Sequence, residues 1–478
     1  MLFSSTEFLY AFFPLTLILY YLASPCVPLK NGILLAASLL FYAWGEPRFV
    51  FVMIASIVCN YIIGLLIGHA KKAERPGMAK WVLAGGVAVN LGLLFVFKYL
   101  TFALENIGAI LPLPFAVPEI ALPIGISFFT FQSMSYVIDV YWGKVKAQKD
   151  FIAFASYVTL FPQLIAGPIV RYSDVEVQLL NRQTSSGQVA EGIRRFIIGF
   201  GKKVLLANQI YIVWKELSAM EELSAASAWL GALAFTFQIY FDFSGYSDMA
   251  IGLGKILGFD YLENFNYPYI SRSITEFWRR WHMSLSSWFK EYVYVPLGGN
   301  RSGLKKQIFN IAVVWALTGL WHGASWNFVA WGVYFGVILI IEKLWLLRLL
   351  DRLPKAAGHI YSLILIVLGW VIFAIEDLGQ VGTYMTMMFG ASGTFTDDAF
   401  FYFLQTRGWF FLFCAVGSTP LPAAAAKWVV SKLESSGSQL TSEVVLGLLE
   451  TAVLLGIMVL SVAFLVSGSY NPFLYFRF

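Results

Sequence analysis

The chain holds four histidines in 478 residues, His69, His282, His322 and His359, and two of them stand where chemistry is plausible. His322 lies in Thr318-Gly319-Leu320-Trp321-His322-Gly323-Ala324-Ser325-Trp326-Asn327, inside the window 307–341, which contains no Asp, Glu, Lys or Arg. As one helix this window would measure ~52 Å at 1.5 Å per residue, too long for a single ~30 Å crossing of hydrocarbon. It must break, and the natural break is where two glycines flank the histidine. Basic residues stand at both ends (Lys305 and Lys306; Lys343 and Arg348), so the window is expected to be a hairpin that enters and leaves from one side. His322 then lies near its apex, inside the membrane. A packed histidine bonded to a carbonyl is the plain alternative. Against it, intramembrane ionisable groups are costly and mark function, the glycines permit close approach, and Trp321 and Trp326 can wall a cavity. A neutral imidazole there is a candidate general base.

His282 sits in the stretch from Ser273 to Tyr292. Ser273 and Glu276 fit a capping box opening a helix. Phe277, Trp281, Leu285, Trp288, Phe289 and Tyr292 form an apolar stripe at helical spacing, with Arg279 and Arg280 outside it. An interfacial helix whose arginines meet lipid phosphate accounts for most of this. It does not account for His282, which is a second catalytic or ligand-binding candidate. Polar residues also interrupt apolar windows at Gln132, at Gln163 beside Pro162, and along Gln238-Ile239-Tyr240-Phe241-Asp242-Phe243-Ser244-Gly245-Tyr246-Ser247-Asp248. Gln132, Gln238, Asp242, Ser244, Arg279, Arg280, Trp321 and Asn327 are the candidate substrate contacts. Inter-helix hydrogen bonding is the plainer reading for Asp242 and Asp248; binding a cation or orienting a histidine is the other. The two central histidines are 40 residues apart with no H-E-x-x-H pattern, so no metal site is expected.

The elements that must position these groups are membrane helices. Apolar residues make up 59% of the chain and charged ones only 13%, about half the usual ~25%. Windows free of charge run at 8–29, 49–68, 120–138, 151–170, 223–241, 307–341, 358–375, 408–426 and 451–476. Most reach the ~20 residues a spanning helix needs, and period-two alternation is not seen. The expected fold is all-α and polytopic, with about 11–12 transmembrane helices at that length per crossing plus re-entrant or interfacial helices. Segment 151–170, basic at both flanks and broken by Pro162, Gly167 and Pro168, is expected to be re-entrant or half-buried. The chain reads as one integral-membrane domain over 1–478, with N-terminal helices to 120, a core at 121–345 holding both histidines, and C-terminal helices from 346.

Three cysteines make no disulfide framework, and a net charge of +5 on a membrane chain gives no reason to expect nucleic acid as a partner. Neither a P-loop nor a G-x-S-x-G elbow occurs. The first apolar window lacks a basic stretch before it and a small-residue cleavage site after it, so it is expected to be a retained span. Basic loops mark the cytoplasmic side. Lys71, Lys72, Arg75 and Lys80 then lie inside, which places the N-terminus outside, and segment 271–306, with seven basic residues against Glu276 and Glu291, is the main cytoplasmic stretch.

Four motifs in order resemble the membrane-bound O-acyltransferases: Phe161-Pro162-Gln163-Leu164-Ile165-Ala166-Gly167-Pro168, Tyr240 to Ala250, Trp278-Arg279-Arg280-Trp281-His282-Met283-Ser284-Leu285-Ser286, and Gly319-Leu320-Trp321-His322-Gly323. The resemblance is strong over 1–340 and weak beyond. It implies that His282 and His322 are that family's two characteristic histidines, in a ring of helices around a tunnel. Tyr292 to Arg301, the opening Met1-Leu2-Phe3-Ser4-Ser5 and the ending 471–478 are similar to the alginate-type polysaccharide O-acetylation branch. That branch implies a bacterial cytoplasmic-membrane enzyme without bound cofactor, surrounded by lipid. It would pass acetyl from a cytoplasmic donor, acetyl-CoA, to an extracytoplasmic partner of SGNH-hydrolase type and on to a polysaccharide such as alginate. The sister branch, D-alanyl transfer to teichoic acid, is the alternative, and a non-enzymatic channel or flippase is the third reading.

Overall fold

The computed structural model describes residues 1–165, 167–436 and 439–468. Ala166 of the motif 161–168 and the ending 471–478 lie outside the described residues. Among those described, helices make up most of the structure, joined by turns and by a few longer irregular connections such as 109–125, and no strand occurs. Among the described residues, seven helices are long and apolar enough to cross a bilayer: Val27–Gly45, Val50–Lys72, Pro76–Gly108, Ser186–Leu217, Lys355–Ala374, Asp398–Gly417 and Glu443–Ser467. A shorter apolar helix, Phe8–Leu22, accompanies them. Glu443–Ser467 keeps only 6% of its apolar window inside the protein; such a surface is stable against lipid, and the chain is a multi-pass membrane protein.

The chain forms two compact units, Met1–Phe196 with Met249–Leu262, and Ile197–Asp248 with Glu263–Phe478. In the first, Val50–Lys72 packs against Pro76–Leu94 through a reciprocal amide pair, Asn60 and Asn90, at 3.1 and 2.7 Å. Gly64 makes room for Tyr136 of Ile126–Trp142; a Cβ there would stand 2.5 Å from the ring. Lys71 donates to the last carbonyls of Ile126–Trp142, Val140 (3.1 Å) and Tyr141 (2.9 Å), so the basic ends of two helices meet. Segment 151–170 breaks as its prolines require, into Phe151–Thr159, capped by Asp150, and the single turn Phe161–Leu164, both largely buried.

The span expected near 224–243 is the start of a longer helix, Ala225–Ile256, whose residues up to Asp248 belong to the second unit. It continues past two acids because each is neutralised: Lys203 pairs with Asp242, and Lys202 meets Asp248 at 2.6 Å. Window 307–341 breaks where the glycines flank the histidine, giving Leu304–His322 and Trp326–Ile341 joined by Gly323-Ala324-Ser325. The two helices form a close antiparallel hairpin because glycines sit at the crossing. A Cβ on Gly319 would lie 2.5 Å from the Phe328 carbonyl oxygen, and one on Gly332 2.6 Å from that of Trp315.

Candidate active site

The site is built where the hairpin meets the segment 271–295. Ser273 caps as expected, its hydroxyl accepting the Glu276 N–H at 3.0 Å. Glu276 does not close the box on Ser273; its carboxylate takes the Arg272 N–H (3.0 Å) and the Arg280 guanidinium. The remaining N–H groups of that first turn, Ile274 and Thr275, donate to the buried Glu342 carboxylate, both at 2.7 Å.

The single amphipathic helix expected here is two, Ile274–Arg280 and Met283–Phe289. His282 sits between them with φ +44°, a left-handed conformation costly for a residue with a Cβ. The surrounding structure holds it there: Asn264 accepts the Met283 N–H on its backbone carbonyl and the Ser284 N–H on its side chain. The interfacial reading of the stripe is also corrected. Phe277, Trp281, Leu285, Trp288, Phe289 and Tyr292 are all buried in protein rather than set among headgroups.

His322 is the last residue of its helix, 4% exposed, and its ring is packed by Trp331, Trp321 and Phe373 at centroid distances of 4.9, 5.0 and 5.2 Å. Trp321 also faces His282, ring to ring at 5.9 Å. Both histidines line one cavity of about 280 Å³, with Trp278, Trp315, Phe289 and Thr318 among its walls and exposed Arg279 and Lys290 on its rim. The two histidines therefore open onto the same space rather than onto separate chambers. His282 is 1% exposed, and burial lowers its pKa to about 3, so the ring is neutral.

The other candidates are placed as follows. Arg279 lines the cavity, whereas Arg280 is engaged by Glu276 and the Asn266 carbonyl. Asn327 donates to the Phe373 carbonyl at 3.1 Å, fastening the hairpin to Lys355–Ala374. Trp326 points away and is exposed, so Trp321 alone of that pair faces the histidines. Gln238, Asp242 and Ser244 are buried along Ala225–Ile256, with Asp242 held by Lys203. Gln132 belongs to the first unit, fully buried, with neither amide atom partnered among the described residues. Sequence reasoning missed Asn264 and Glu342. Each reaches the site from far along the chain, 18 and 68 residues from its partner, so no local pattern signals it. Among the described residues no group of three His, Cys, Asp or Glu side chains is placed to hold a metal ion.

A largely apolar, aromatic-walled cavity lined by two imidazoles, beside a glycine-packed hairpin of a polytopic chain, suits acyl transfer away from water. The family model described as MBOAT, membrane-bound O-acyltransferase family, matches residues 146–378, which include both histidines. The chain is 45% identical over 393 residues to the probable alginate O-acetylase AlgI of Azotobacter vinelandii, covering 81% of this chain and 78% of that one. It is 34% identical over 431 residues to the peptidoglycan O-acetyltransferase of Helicobacter pylori, covering 82% and 80%. The teichoic acid D-alanyltransferase of Bacillus subtilis is more distant, 29% identical over 288 residues, covering 58% and 71%. The chain belongs to the membrane-bound O-acyltransferase family and is an O-acyltransferase.

Proposed function

We propose that the enzyme moves an acetyl group from cytoplasmic acetyl-CoA through the membrane for O-acetylation of an extracytoplasmic polysaccharide such as alginate, by way of a partner of SGNH-hydrolase type. The observation that carries this reading is the shared cavity, where His282 and His322 face one space with Arg279 and Lys290 at its rim. His322 takes the proton of an acceptor hydroxyl as the oxygen attacks the acetyl carbonyl. The carbon–sulfur bond breaks, and the departing thiolate recovers the proton from the imidazolium, leaving an ester and free CoA thiol. Rim cations suit the donor's phosphates, and the apolar walls hold both reactants together away from water. The greater identity to O-acetylating relatives than to a D-alanyltransferase supports acetyl as the acyl group.

The same reading sets the protein in the bacterial cytoplasmic membrane with its N-terminus outside. Its support is the meeting of Lys71 with the end of Ile126–Trp142, followed directly by Lys144, Lys146 and Lys149, a basic cluster of the kind kept in the cytoplasm.

The test is labelled acetyl-CoA supplied to the protein in vesicles with an SGNH-type partner and alginate. Wild type should release free thiol and pass label onward. His322→Gln, which fills most of the ring's space, should lower the rate about 10²–10⁴-fold. Absence of transfer by wild type, or full activity in His322→Gln, would overturn the assignment. Label accepted only from a D-alanyl carrier-protein thioester would assign the sister reaction.

A further inference from the structure

Asn264, in the connection between Ala225–Ile256 and the histidine segment, carries a role that neither the motifs nor the relatives' names assign. It is 1% exposed, and both polar atoms of its amide are hydrogen-bonded. Three donors converge on Oδ1: the Ser284 N–H at 3.2 Å, the Ser284 hydroxyl at 2.9 Å, and His282 Nδ1 at 3.0 Å. Nδ2 donates to the Ser247 hydroxyl at 3.1 Å. The orientation of the amide is not arbitrary. A backbone N–H can only donate, so the atom facing Ser284 must be the oxygen. A carbonyl oxygen has no proton to give, so His282 Nδ1 must carry one. In the neutral ring the lone pair then resides on Nε2, the nitrogen left to the cavity side; it is buried, and no protein group among the described residues partners it.

We propose that Asn264 is a positioning residue that locks His282 in its Nδ1–H tautomer and so presents the Nε2 lone pair to the reacting groups in the cavity. A buried basic nitrogen without a protein partner is costly, and the left-handed backbone at His282 adds strain; both are retained at a site whose ligand supplies the missing donor. The acceptor hydroxyl is a donor of that kind. Ser284 assists by filling the remaining approach to Oδ1, which keeps the amide from turning. The inference rests on the proposed acyl-transfer function of the cavity that His282 shares with His322.

The charged or titratable groups lining the cavity beside His282 are Arg279, Lys290, Tyr294 and His322, with no carboxylate in that lining. A carboxylate introduced at position 264 would therefore be the new acid in contact with the ring, and it would raise the imidazole pKa.

The experiment compares wild type, Asn264→Ala, Asn264→Asp and His282→Ala in the vesicle assay with acetyl-CoA, with folding followed by tryptophan fluorescence. Asn264→Ala should lose about 10–100-fold in kcat, the range for groups that orient an active ring, with KM for acetyl-CoA little changed. Asn264→Asp keeps the acceptor, and Ser247 can turn to donate to it. That variant should recover most of the rate at high pH, with the acidic limb of its pH profile moved upward. A purely structural residue would not move that limb. Wild-type kcat in Asn264→Ala, or an unmoved pH profile in Asn264→Asp, overturns the inference. If His282→Ala is inactive while Asn264→Ala is fully active, the positioning role fails and the acyl-transfer reading stands. If His282→Ala is itself fully active, the role of His282 fails first, and a loss in Asn264→Ala would then be structural. Should Asn264→Ala not fold, the pH profile of Asn264→Asp decides.

Discussion

Glu342 is the buried acid on which the cavity wall depends, and Glu342→Ala tests how tightly that wall is held. Its carboxylate is fully buried and accepts the Ile274 N–H and Thr275 N–H at 2.7 Å each, the Thr275 hydroxyl at 2.6 Å and the Tyr361 hydroxyl at 3.1 Å. The helix it caps, Ile274–Arg280, is two turns long and gains little from its own ladder. Truncation leaves two backbone N–H groups with no acceptor, while the hydroxyls can turn elsewhere. At about 1–3 kcal/mol per buried donor left unsatisfied, the loss is about 2–6 kcal/mol. Glu342→Gln keeps one acceptor oxygen but aims an NH₂ at other donors, so it should fall between wild type and alanine. Because Thr275, Trp278 and Arg279 of this helix line the cavity, the same variants should raise KM for acetyl-CoA. Tryptophan fluorescence melts in detergent and the vesicle assay read the two effects. Melting of Glu342→Ala at the wild-type temperature with an unaltered KM would refute the reasoning.

Gly332→Ala would push a Cβ to within 2.6 Å of the Trp315 backbone oxygen, which has no room to yield, so the hairpin should open and acetyl transfer should fall sharply; Gly456→Ala, with nothing within 4 Å, is the control and should leave both melting and activity unchanged. Burial alone would raise the Asp397 carboxyl, but hydrogen bonds from the Ser227 hydroxyl and the Ser224 and Phe400 N–H groups outweigh it and hold its pKa below the ordinary value. A depressed carboxyl stabilises the fold above its unfolded pKa of about 3.9 and loses that contribution as pH falls through the lower folded value. Wild-type melting should therefore drop more steeply below about pH 4 than that of Asp397→Asn, and parallel curves would contradict this. Cysteines at Ser302 and Arg348, in a background lacking Cys26, Cys59 and Cys414, should both react only from the cytoplasmic side. One at half-buried Ala324 should react slowly with bulky thiol reagents; labelling of Arg348→Cys from outside would show that 307–341 crosses once.

Much of this protein is decided by local chain chemistry. Apolar run length sets which segments become membrane helices, because no water is available in hydrocarbon to satisfy an open backbone. The break within 318–327 follows from a window too long for one crossing and from its glycines, and the Ser273 cap follows from a hydroxyl three residues ahead of the N–H it accepts. His322 is legible as an ionisable group where charge is otherwise excluded, and His282 as a residue that the amphipathic pattern of its stretch does not account for. Tertiary structure decides what those groups do. The split of the histidine segment at His282 depends on Asn264, and the start of its helix on Glu342, partners brought in by folding rather than by periodicity. Asp242 becomes half of an ion pair only when Lys203 meets it, and Trp326 turns outward while Trp321 turns in. Hydrophobic length acts along the chain and can be read one residue after another. A buried polar group must find its partner wherever packing places it, and that choice exists only in the folded protein.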